Sequence, residues 1–273
     1  MGSGITQTKP VTLQGNRWLT IEQVTGQVNF TPYQGTRRPA RRGDRLSVVG
    51  DVLETNADAA ARLTIDQQTG FVAIAENSRV QVQALSITPN GGRITALNVS
   101  RGQVRLRIRP LTNPETEIEI HTPAGVSGVR GTDFGVTVQP DGQTGVATLE
   151  GSVAVSAEMQ TVAVNAEMQT SVYPGEAPEP PEPLRNDPTL FVERLVKLPN
   201  STTETSLVRL TGYTDKVNLL KVNDDLKRLS RTGRFDLVVP IFNSPGSEPG
   251  QLRILATVIT PLGTEQRYDL VVP

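Results

Sequence analysis

Few residues in this chain are of a type and spacing that could do chemistry. His121 is the single histidine, and there is no cysteine. A histidine-based triad needs a serine nucleophile and an orienting acid around the ring. The nearest serine, Ser127, lies in Gly125-Val126-Ser127-Gly128-Val129, one position out of the G-x-S-x-G elbow. His121 is therefore expected to be a structural strand-end group, and no catalytic residue is assigned. Zinc sites draw several nitrogen or sulfur ligands, which one histidine and no cysteine do not supply. Calcium needs only oxygen ligands, and Asn223-Asp224-Asp225 is the best candidate for it. That run lacks the D-x-D-x-D-G spacing of an EF-hand loop, so a turn between strands is expected there. No metal or cofactor is assigned.

Charge offers a second kind of chemistry. Arg37, Arg38, Arg41, Arg42 and Arg45 put five arginines into nine residues. Such a run could bind phosphate groups, an anionic polysaccharide or an acidic partner, but a solvated turn entering the strand Leu46-Ser47-Val48-Val49 is the preferred reading. Apart from Tyr33 it has no interleaved aromatics on which bases would stack, so nucleic acid is not expected. The net charge is −1. Residues 1–110 carry +7, residues 111–183 carry −10 and residues 184–273 carry +2. Opposite charges of the first two stretches can neutralise each other within one domain.

The elements that would position these groups read as strands. Valine and threonine are frequent, and 24 glycines and 20 prolines supply many turns. Alternation marks strands at Ala61–Ile65, Phe71–Ile74, Val80–Val82 and Val104–Ile108, with turns at Thr69-Gly70, Pro89-Asn90-Gly91-Gly92 and Pro140-Asp141-Gly142. The pentapeptide Ala-Glu-Met-Gln-Thr occurs at 157–161 and again at 166–170, close to a strand-plus-turn spacing. Pro174–Pro183 holds five prolines and three glutamates in ten residues, the composition of an extended polyproline-II linker. Beyond it, seven strands are expected near 190–198, 206–213, 217–222, 226–229, 234–242, 252–260 and 266–272, with turns at Gly233, Pro245-Gly246 and Pro261-Leu262-Gly263. Seven short strands suggest an immunoglobulin-like sandwich. The fold class is thus all-β: a β domain at 16–173, a Pro/Glu-rich linker at 174–188 and a sandwich at 189–273, forming a rod whose halves fold independently.

The densest signal is TPAGVSGVRGTDFGVTV, from Thr122 to Val138, followed by VATLEGSVAVS from Val146 to Ser156. Thr122, Pro123 and Gly125, then Val129-Arg130-Gly131-Thr132-Asp133-Phe134, then Glu150-Gly151, resemble the FecR family of bacterial envelope proteins. More loosely the resemblance runs from about Trp18 to the Val172-Tyr173-Pro174-Gly175 exit. It implies a rolled or solenoid-like β domain placed outside the cytoplasm. The family proper relays a signal from an outer-membrane receptor to a sigma-factor regulator through a membrane helix, and no run here approaches the roughly 18 apolar residues of a span. Met1-Gly2-Ser3-Gly4 has neither a basic start nor an apolar core, so an export signal is inferred from the resemblance to have been removed. The run GYTDKVNLLKVN, then GRFDLVVPIF and YDLVVP, resembles bacterial Ig-like modules.

The expected function is a non-enzymatic extracytoplasmic interaction module, either an envelope scaffold or a sensory relay, with an envelope or surface protein as partner. The alternative is an accessory module for cell-wall or exopolysaccharide glycans. Within the motif, Arg130 should need a carboxylate partner, and Gly131 a positive φ or a close backbone approach. Arg105, Arg107 and Arg109 alternate with apolar residues, as do Glu115, Glu117 and Glu119. An antiparallel hairpin pairing 107 with 117 and 105 with 119 is expected.

Overall fold

The computed structural model of the protein describes residues 17–66, 69–199, 205–242 and 252–273. The expected turn at Pro245-Gly246 and the opening Met1–Gly4 lie outside them. The described residues contain strands and no helix. In chain order the first are β1 (Leu19–Thr25), β2 (Val28–Thr31), β3 (Arg38–Pro39), β4 (Arg45–Leu46), β5 (Val52–Thr55), β6 (Ala60–Ile65), β7 (Gly70–Ile74) and β8 (Arg79–Ile87). Then come β9 (Arg93–Ile108), β10 (Glu117–His121), β11 (Val126–Val129), β12 (Asp133–Val138), β13 (Thr144–Glu150), β14 (Ser152–Ala157), β15 (Gln160–Asn165), β16 (Met168–Val172) and β17 (Glu182–Pro183). The last are β18 (Phe191–Lys197), β19 (Thr205–Tyr213), β20 (Leu219–Val222), β21 (Asp225–Lys227), β22 (Arg234–Phe242), β23 (Arg253–Ile259) and β24 (Glu265–Val271).

The first seventeen strands make two layers that share β9. One layer runs β3-β2-β5-β8-β9-β10-β11-β14-β15. The other runs β4-β1-β6-β7-β9-β12-β13-β16-β17. The first half of β9 pairs with β8, and its second half with β7 and β12. It crosses at Gly102, whose φ is +90°. A Cβ there would lie 2.2 Å from the Ser78 hydroxyl, so only glycine lets the strand turn at this point. Period-two alternation sends Phe30, Leu53, Val80, Leu97 and Ile120 from one layer, and Leu63, Val72, Leu106, Phe134 and Val146 from the other, into one core. Each such side chain contributes roughly 1.5–3 kcal/mol by leaving water.

The charged hairpin does not form. β10 lies parallel to the first half of β9, with Glu117 opposite Ile94 and His121 opposite Asn98. After Ile108 the chain leaves one layer and returns in the other, so the arginines of β9 face β12 instead. Their alternation suited either neighbour.

The two copies of the repeated pentapeptide each make a turn. Glu158 and Met159 carry positive φ between β14 and β15, and Glu167 does so before β16.

Beyond residue 190, β18-β19-β22 form a three-stranded sheet and β21-β20-β23-β24 a four-stranded one. Val208, Leu210, Phe235 and Val239 of the first pack with Leu220, Val222, Ile254, Ala256 and Val258 of the second.

The proline-rich stretch is not a free spacer. The Glu179 amide donates to the Ser171 carbonyl (2.9 Å), β17 pairs with β16, and the Leu184 amide donates to the Glu167 carbonyl (2.8 Å). Prolines are tolerated here because this is a sheet edge, where no further strand asks for their missing N–H groups.

Candidate functional site

The motif residues flank β12: the Thr122–Gly125 turn lies at its Val138 end, beside Gly142 and Thr144, and Gly131, Asp133 and Gly151 form a brace at its Asp133 end. Thr122 and Gly125 close the β10–β11 turn, the Thr122 amide donating to the Gly125 carbonyl (2.9 Å) and the Gly125 amide to the Thr122 hydroxyl (3.2 Å). Pro123 is exposed, whereas Val129 and Phe134 belong to the core. Gly131 has φ +129°, and a Cβ on it would lie 2.7 Å from the Cα of Pro110. Both conditions expected of it are met. Gly151 has φ +82°, and a Cβ there would lie 2.6 Å from the Thr132 methyl and 2.7 Å from the Gly131 carbonyl oxygen. The two separated parts of the motif therefore pack directly on each other.

Asp133 is the charged centre of this brace. Its carboxylate accepts from Arg105 Nε (2.8 Å) and Nη2 (2.9 Å), and from Arg107 Nε (2.9 Å). Burial would push the Asp133 carboxyl up, but the hydrogen bonds and charges of both arginines outweigh it and hold it below the ordinary range. The Asp133 hydrogen bond in turn raises Arg105, with Glu150 adding to the effect. Arg130, by contrast, is exposed, and among the described residues its guanidinium reaches only the Asn113 carbonyl, at 3.4 Å. It stands in water and needs no carboxylate. The buried charge of the motif is Asp133, and its arginines come from β9, which spacing around the motif could not reveal.

The strands leading away from the brace receive the C-terminal unit. At Gly135 a Cβ would sit 1.8 Å from the Pro261 carbonyl oxygen, and at Gly145 one would sit 2.6 Å from that of Val217. Gln139 Nε2 and Gln143 Nε2 both donate to the Lys216 carbonyl (3.1 and 2.9 Å), while Gln139 Oε1 accepts from the Leu229 amide (2.9 Å). Gln103 Nε2 donates to the Pro261 carbonyl (2.6 Å) and Arg105 Nη1 to that of Leu262 (3.0 Å). Side-chain amides thus satisfy backbone carbonyls that would otherwise be buried without donors.

Residues 51–154, from the turn before β5 into β14, match the family model described as FecR protein. This stretch is a FecR family domain. The brace and the docking strands both lie within it. No curated protein matches the chain. Two crystal structures of a protein described as an anti-sigma factor from Parabacteroides distasonis, at 1.65 and 2.50 Å, are similar at 14% identity and a TM-score of 0.41. The likeness covers 49% of this chain and 59% of that one.

The other residues singled out in the sequence are dispersed. His121 Nε2 meets Glu119 Oε2 at 2.7 Å, while Ser127 is buried opposite Ile120. Asn223 and Asp224 have positive φ and form the two-residue turn between β20 and β21. The arginine run is divided. Arg38 donates twice to Asp44 (2.7 and 2.9 Å), which raises the arginine and lowers the carboxyl. Arg45 lies over the Trp18 ring at 4.2 Å, and Arg41 and Arg42 are exposed. Arg37 points instead to Glu54 (3.6 Å) on the FecR domain, where Arg79 and Arg101 join it.

Proposed function

We propose that the protein is a non-enzymatic interaction module working outside the cytoplasm, an envelope scaffold or signal relay of the FecR kind. The observation that carries this reading is the seating of the C-terminal unit on β12 and β13, the strands that the family motif braces. A partner that shifts the C-terminal unit would act directly on the most constrained part of the FecR domain. The C-terminal unit, with three strands facing four, is read as an Ig-like module presenting that contact surface. His121 and Asp133 are engaged in pairs with Glu119 and with Arg105 and Arg107, and Asn223-Asp224 in a turn, which supports a binding role over a catalytic one. No helix among the described residues is long and apolar enough to cross a membrane.

A second reading has one observation in its favour. Phe191 and Tyr213 stack at 4.7 Å beside a cleft of about 410 Å³ that Asp187, Thr189, Asp215 and Arg231 also line. Half-exposed Phe191 gives a sugar ring a surface, as a glycan-binding accessory module would require. Affinity capture from a bacterial envelope fraction, run beside a glycan array, separates the two. Retention of a defined envelope protein that Gly135→Val abolishes supports the relay. Glycan binding that Phe191→Ala abolishes, with no protein retained, replaces it.

A further inference from the structure

Three arginines converge on a single carboxylate on the outer face of the first layer. Glu54 of β5 lies opposite Arg79 of β8, which lies opposite Arg101 of β9. Arg79 reaches Glu54 at 2.7 Å, and Arg37 and Arg101 each reach it at 3.6 Å. Among the described residues none of these arginines has a second carboxylate within 4.0 Å. The row therefore keeps two uncompensated positive charges at the surface. Arg37 was visible in the sequence as part of a run, but Arg79 and Arg101 become its neighbours only through the sheet register.

Beyond buried Val52, where the same strands run into turns, stands an apolar rim. Val52 pairs with both Thr31 and Gln81, leading into the turns at 32–35 and 47–50. Buried Asp51 ties those turns together, accepting from the Tyr33 amide (2.9 Å), the Ser47 amide (2.8 Å) and the Val48 amide (3.0 Å). Gly50, with φ +101°, lets the Tyr33 ring lie against its backbone, where a Cβ would come within 2.4 Å of the ring. From this pinned pair of turns Tyr33, Val48 and Val49 project 56%, 47% and 52% exposed. Single exposed apolar side chains are ordinary, but three held rigidly beside a cationic row are a built surface.

We infer that this face docks on an anionic phospholipid bilayer, with Arg37, Arg79 and Arg101 against the headgroups and Tyr33, Val48 and Val49 in the interfacial layer. A soluble polyanion would neutralise the arginines and leave the apolar rim in water. A bilayer surface meets both, because negative headgroups overlie hydrocarbon and tyrosine favours that boundary. The relay reading does not require this face, so either can fail alone.

Co-sedimentation of the full chain with vesicles tests the assignment. The protein pellets with phosphatidylcholine mixed with phosphatidylglycerol and stays in solution with phosphatidylcholine alone, and added salt releases it. Arg37→Gln with Arg101→Gln weakens binding roughly fivefold per charge removed. Tyr33→Ser with Val49→Ser weakens it with every arginine in place, and unchanged melting temperatures show that both variants are folded. Failure of the unaltered chain to pellet with anionic vesicles overturns the inference and leaves an acidic protein or soluble polyanion as occupant. Full binding by the Tyr33→Ser/Val49→Ser variant, competed away by dextran sulfate, overturns it in favour of the polyanion.

Discussion

Lys221 of β20 and Glu76 of the β7–β8 turn form an ion pair between the two units of the chain, with side-chain exposures of 3% and 7%. The second Glu76 oxygen accepts from the Asp58 amide at 2.6 Å, so the carboxylate is held from both sides. A pair this buried contributes little over apolar replacements, but removing one side leaves the other charge poorly compensated in a site that water barely reaches.

Lys221→Met alone is therefore expected to destabilise the protein by about 3–5 kcal/mol. Adding Glu76→Gln should recover part of the loss, because the amide still accepts from Asp58 and carries no charge. Urea unfolding of the two single variants and the double variant closes the cycle. Additive losses would mean that the pair is not coupled.

Gly131→Val combines a left-handed φ with a collision against Pro110, and should cost more than about 1 kcal/mol. Gly91 is the control. Its φ is +79°, yet nothing lies within 4 Å of the position a Cβ would take. Gly91→Ala should lower the melting temperature much less than Gly131→Val. Equal shifts would show that crowding at Pro110 plays no part.

Asp133 gives the N-terminal domain an acid limit. Its carboxyl titrates below the ordinary range when folded. The stability it supplies is therefore full above the unfolded value of about 3.9 and is lost as pH falls through the lower folded value. Unfolding free energy measured against pH should fall on that side for the natural chain. Asp133→Asn should be weaker at neutral pH and show a shallower acid slope. By the same geometry, Glu117→Arg should fail to rescue Arg107→Glu, since Glu117 is paired beside Ile94 and the partner of Arg107 is Asp133.

What the sequence could announce was what depends on neighbours in the chain. The seven strands beyond residue 190 fall at the positions their alternation marks, and Gly131 has the conformation that its crowded motif demands. Contacts between distant strands stayed hidden. The alternating arginines of β9 fitted the acidic strand that follows in sequence, but residues 109–116 carry the chain into the other layer, and a single buried aspartate takes both charges. The five-arginine run looked like one patch because it is one in sequence. Asp44 and Trp18 draw off Arg38 and Arg45, and register places Arg79 and Arg101 beside Arg37. The proline-rich stretch reads as a spacer from composition alone, while the free edge of β16 that it covers is a tertiary feature.

The docking of the two units can be broken at one atom. Gly135 lies in the middle of β12, where valine is locally favourable, and the Pro261 carbonyl and the Leu262 amide nitrogen stand where its side chain would go. Gly135→Val should leave both β units folded and push the C-terminal unit off the FecR domain. The buried side-chain bonds of Gln103, Gln139 and Gln143 would be lost with it, because their carbonyl acceptors belong to the 216–218 and 261–262 loops and the Leu229 amide is the donor to Gln139 Oε1. Calorimetry should show one transition for the natural chain and two for the variant, with residues 174–188 becoming sensitive to protease. One unchanged transition in the variant would mean that the contact at Gly135 does not couple the units.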